Sequence, residues 1–106
     1  MTDKWLERFQ REALPEIIES FRPLKVLLFG SRAKGIARED SDIDLIIISA
    51  FFEGIPFLKR MPLMLRKISF PKHIDYLCYT PEEYERIKCE SAVLTDAAEN
   101  SIEITA

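Results

Sequence analysis

The chain has 106 residues, enough for one domain with a modest core and too few for two. A hydrophobic fraction of 47% with 31% charged residues fits a globular protein and excludes a disordered one. The net charge of -3 argues against a general nucleic-acid binder, so nucleic acid is not an expected partner.

Lys4 to Phe21 reads as helical. Trp5, Phe9, Ala13, Leu14, Ile17, Ile18 and Phe21 recur at three- and four-residue steps, with charges between them. Thr2 or Asp3 can cap the start. Pro15 lacks a backbone donor and crowds the preceding turn, so either the helix kinks there or a short first helix ends near Ala13. Arg22-Pro23 stops it. Leu24 to Phe29 reads as a strand, Gly30 as a turn and Ser31 to Ile36 as a short helix. Glu39-Asp40-Ser41 forms a polar loop. A second strand, Ile43 to Ser49, is apolar on both faces beyond its aspartates, as a central covered strand should be. Ile55 to Ile68 reads as a helix, with Pro56 near its first turn and Pro62 inside it. Lys72 to Tyr79 is a third strand. In Thr80-Pro81-Glu82-Glu83, Thr80 caps a helix, Pro81 takes its first position and Glu83 closes a capping box. That helix is expected to run to about Glu99, and Ile102 to Thr105 to add a short edge strand. The alternation predicts an α/β (α+β) domain over residues 1–106: a small mixed sheet of three to four strands with helices packed against it.

Charge is unevenly distributed. Gly54 to Ile74 holds Lys59, Arg60, Arg66, Lys67 and Lys72 and no acid, whereas Asp75 to Ala106 holds eight acids and two basic residues. The basic stretch is either a solvated helix face or a surface for phosphates or an acidic partner. Cys78 and Cys89 lack metal-ligand spacing. No signal region or membrane-length apolar run is visible, so a cytoplasmic location with free, mostly buried thiols is expected.

Three features carry chemistry. Gly30 lets the chain turn sharply, and a helix beginning at Ser31 aims free N–H groups, with the Ser31 hydroxyl, toward a phosphate. Asp42 and Asp44 enter a buried strand at i, i+2 and therefore share a face. Aspartate is a poor strand former, and adjacent like charges need a cation, which Mg²⁺ supplies. Asp75 places a third charge inside a short apolar strand, where it needs a partner or a metal. Each has a plainer reading: a simple turn, a loop acid with a cap, an acid on an exposed face. Arg32, Lys34 and Arg38 flank the turn as surface cations or triphosphate contacts, with Arg32 the preferred contact. His73 shares a face with Asp75 if the strand is regular, and otherwise reads as a surface strand-start residue. Trp5 and Phe9 read as core.

Together, Gly30-Ser31-x-Ala33-x-Gly35, Ser41-Asp42-x-Asp44-Leu45 and Asp75 resemble the nucleotidyltransferase superfamily related to DNA polymerase beta, and within it the minimal nucleotidyltransferases (MNT). The resemblance spans about Trp5 to Ile104. It implies a polymerase beta-like nucleotidyltransferase fold and two Mg²⁺ ions, with ATP or another nucleoside triphosphate as substrate. Asp42 and Asp44 would hold the metals. Asp75 would ligate the ion that activates the attacking hydroxyl. Gly30 and Ser31 would hold the β- and γ-phosphates. It further implies a partner, since little chain is left to bind an acceptor: a helical HEPN-type protein receiving AMP, as toxin to this antitoxin. The alternatives are stoichiometric inhibition without transfer, or a small-molecule acceptor bound with the help of a partner or a homodimer mate.

Overall fold

The computed structural model describes residues 3–90 and 100–104. Helix α1 (Lys4–Glu12) begins at Asp3, whose side chain accepts from the Leu6 N–H. The apolar periodicity runs on, but the helix does not. Ala13 separates α1 from α2 (Leu14–Phe21), and Pro15 lies in the first turn of α2, where its missing N–H has no intrahelical partner to lose. Arg22, left-handed at φ 43°, closes α2.

Strand β1 (Lys25–Phe29) leads through Gly30 into α3 (Gly30–Lys34), and β2 (Ile43–Ile48) follows. A single 3₁₀ turn (Ala50–Phe52), unmarked in the sequence pattern, precedes α4 (Phe57–Lys67). Then come β3 (Ile74–Tyr79), α5 (Pro81–Glu90) and β4 (Ile102–Glu103). The expected extension of α5 to Glu99 and of β4 to Thr105 falls outside the described residues. The capping box of α5 forms as anticipated: the Thr80 N–H donates to Glu83 Oε1 at 2.9 Å, and the Glu83 N–H to Thr80 Oγ1 at 3.2 Å.

The sheet order is β3-β2-β1-β4. β1 runs antiparallel to β2 and β4, and β2 runs parallel to β3. A parallel neighbour needs a crossover, and α4 supplies it. Period-two alternation divides the sheet into two faces. Val26, Leu28, Leu45, Ile47, Tyr76 and Cys78 join Phe9, Ile17, Phe21 and Met64 of the helices in the main core. Leu27, Ile46 and Ile48 meet Tyr84 of α5 on the other face. Arg60 of α4 is buried yet paired, bridging to Glu83 of α5 and donating to the Cys78 carbonyl at 3.1 Å. Both cysteines are free; Cys78 is buried, but Cys89 is exposed, against expectation, because α5 turns it to solvent. No helix is long and apolar enough to cross a membrane among the described residues.

Candidate active site

Strand register assembles the site. Asp44 of β2 lies directly beside Asp75 of the parallel β3, and beside Phe29 at the end of antiparallel β1. The start of β2, the start of β3 and the turn after β1 therefore meet at one edge of the sheet. Asp44 and Asp75 share the face of Ile46 and Leu77 by alternation, just beyond the α5 side chains that cover that face.

Gly30 sits over Asp44. Its φ of 73° lies in the left-handed region, and a Cβ there would overlap Asp44 Oδ2 and lie 3.2 Å from Asp44 Cγ. Glycine is required twice, for the turn and for the close approach. Ser31 follows in the first turn of α3 and is half-buried.

Ligand atoms of Asp42, His73 and Asp75 all lie within 4.8 Å of one another. His73 Nε2 is 2.9 Å from Asp75 Oδ1. His73 is exposed just before β3, as a surface strand-start residue is, and its i, i+2 spacing from Asp75 also brings it into the cluster. Asp44 lies beside this trio. Its pKa is raised to about 6 by burial, by the charges of Asp75 and Asp42, and by a hydrogen bond with Asp75; His73 acts the other way. Carboxylates held together with a proton retained on one of them are a site short of positive charge. That fits a hard divalent cation with oxygen ligands.

Arg32 is corrected. Expected at the triphosphate, it is buried, and Nη1 binds Asp3 Oδ1 at 2.7 Å and Oδ2 at 2.8 Å. Nη2 donates to the carbonyls of Arg38 and Ser41 at 3.2 and 2.7 Å. Burial alone would raise the Asp3 pKa, but these bonds outweigh it and hold it below the usual value. The guanidinium is thus a strut between the start of α1 and the loop that delivers Asp42. Arg32→Met should cost about 3 kcal/mol in denaturant unfolding, and lysine should not restore it, because the fork of bonds is lost. An unchanged unfolding midpoint would refute this role.

A second expectation concerns pH. The Arg60 hydrogen bond, with those from Thr80, lowers the Glu83 pKa to about 2 from 4.5, against its partial burial. Its stabilisation is complete above pH 4.5 and lost as pH falls through about 2. Asp44 has the opposite sign: the folded chain keeps a proton that the unfolded chain has released, so stability falls as pH rises from 3.8 through about 6. Thermal melts in EDTA should therefore peak between the two ordinary carboxylate values, 3.8 and 4.5. Asp44→Asn should flatten the fall on the alkaline side.

Residues 10–104 match the family profile of the nucleotidyltransferase domain. A candidate nucleotidyltransferase from Sulfolobus solfataricus, known from a crystal structure, superposes with a TM-score of 0.61 at 24% identity, covering 97% of this chain and 87% of its own. BolA1 from Arabidopsis thaliana superposes with a TM-score of 0.51 at 19% identity, covering 77% of this chain and 98% of its own. At these identities the two structures speak to the fold. No curated protein matches.

Proposed function

The chain belongs to the nucleotidyltransferase domain family, and from that premise we propose that it transfers AMP from ATP to a hydroxyl of a HEPN-type helical partner protein, as the antitoxin of a pair. The observation that carries the transfer chemistry is the meeting of Asp42, Asp44 and Asp75 at the sheet edge under the Gly30 turn.

Asp42, Asp44 and Asp75 would hold Mg²⁺, which when bound neutralises the triphosphate and favours ionisation of the acceptor hydroxyl. The protein's own contribution is placement. The Gly30-Ser31 turn brings backbone N–H groups to the β- and γ-phosphates without a side chain in the way. Asp75 faces the acceptor and takes its proton, with His73 beside it to orient the carboxylate. The hydroxyl oxygen bonds to the α-phosphorus, the bond to the β-phosphate oxygen breaks, and pyrophosphate leaves. Holding the two oxygens in line supplies most of the rate gain.

The test incubates the chain with α-labelled ATP, Mg²⁺ and the protein encoded by the neighbouring reading frame. Label on a partner hydroxyl, lost with Asp42→Asn plus Asp44→Asn, is the expected result. Inhibition of the partner at one-to-one stoichiometry by that doubly substituted chain, without label, would replace transfer by stoichiometric binding.

A further inference from the structure

Helix α4 has two apolar faces. One carries the fully buried Met64 into the core. The other faces solvent: Leu58, Met61, Pro62 and Leu65 recur at i, i+3, i+4, i+7, and Leu58, Met61 and Leu65 are 86%, 37% and 44% exposed. Single exposed apolar residues are ordinary, but a helical stripe of them marks a contact surface. One edge of the stripe is basic, formed by the exposed Lys59 and Arg66, and no acid lies between Gly54 and Ile74 to balance them.

The stripe leads toward the active site. At the C-terminal end of α4 it runs into a cavity of about 270 Å³, whose walls include Leu65, Phe70, Lys72, His73 and Tyr76. The Tyr76 hydroxyl is buried with no hydrogen-bond partner among the described residues. His73 connects this cavity to Asp75. A chain lying along α4 would thus end beside His73, at the end of the sheet whose other face carries the carboxylates.

We propose that this stripe and cavity dock an amphipathic helix of the acceptor protein, one whose apolar seam is flanked by carboxylates. That the docked protein is the acceptor rests on the proposed transfer; the docking itself does not. Charge complementarity selects this occupant over a second copy. An antiparallel two-fold pairing of α4 with itself sets the Lys59–Arg66 edge of one copy against the same edge of the other. An acid-flanked helix turns that repulsion into attraction and register.

The experiment titrates the full chain, in EDTA and without nucleotide, with two designed helical peptides. Both carry leucines at i, i+3, i+4, i+7; one seam is flanked by glutamates, the other by lysines. The glutamate peptide should bind at least about tenfold more tightly, and Leu58→Glu with Leu65→Glu should abolish its binding. Lys59→Glu with Arg66→Glu, also exposed, should reverse the preference, a result that misfolding cannot produce. Equal binding of the two peptides, or no binding at millimolar concentration, overturns the proposal. So does a dimer in solution that Leu65→Glu dissociates, which would make the occupant a second copy. Because the measurement needs neither metal nor ATP, its failure leaves the transfer reaction untouched. Failed labelling with peptide binding intact counts only against the transfer.

Discussion

Asp44→Asn should abolish nucleotidyl transfer and at the same time make the metal-free protein more stable. The two effects share one cause. Asp44 sits beside Asp75 in register and near Asp42, and its carboxyl holds a proton up to about pH 6 because burial disfavours its charge and the charges of Asp75 and Asp42 repel it. At neutral pH the free chain bears that repulsion. An amide of the same shape removes it and donates to Asp75 instead. Discounted for the partial exposure of Asp44, the gain is on the order of 1 kcal/mol, which for a domain of this size is a rise in Tm of about 4–8 °C in EDTA. Transfer should fall by on the order of 10³-fold or more, since the residues of such a centre act as a unit. Millimolar Mg²⁺ should raise the Tm of the unsubstituted chain and leave that of Asp42→Asn plus Asp44→Asn unchanged. A lowered Tm for Asp44→Asn in EDTA would mean that Asp44 is a structural acid rather than a charge awaiting a cation.

Gly30→Ala should be the most damaging of the three glycine-to-alanine changes. Its Cβ would overlap Asp44 Oδ2, and its φ of 73° is strained for any L side chain. Asp44 must swing away or the turn must reopen, and either displaces the phosphate-binding N–H groups from the carboxylates. A misplacement of about 1 Å costs roughly 10²-fold in rate, and the strain adds about 1–2 kcal/mol of destabilisation. Gly35 provides the control. It has nearly the same φ, 74°, but none of the described residues lies within 4 Å of its added Cβ. Gly35→Ala should therefore lose about 1 kcal/mol of stability and keep its transfer rate. Equal losses of activity in the two variants would show that backbone strain alone, and not the approach to Asp44, sets the requirement for glycine.

The sequence by itself determined the elements and the chemistry-bearing residues, because these are written in local patterns. Short apolar runs marked the strands. Thr80 to Glu83 gave a capping box that forms atom for atom. The Gly30-Ser31 and Asp42-x-Asp44 spacings named the turn and two of the acids. Even the break at Ala13 was available as one of two outcomes of placing Pro15, though only the fold of α2 back onto the sheet chose between them. Three things were decided by tertiary structure. Register set Asp75 beside Asp44 and brought His73 to Asp42, since a parallel pairing across the α4 crossover joins residues some thirty positions apart that no local signal relates. Burial turned Arg32 from a phosphate contact into a strut, because Asp3 at the start of α1 meets it before any ligand does. And α4, read from the sequence only as a helix with a basic stretch, proved to have a second apolar face, for a helix can turn only one side to the sheet and the other is left to whatever comes from outside.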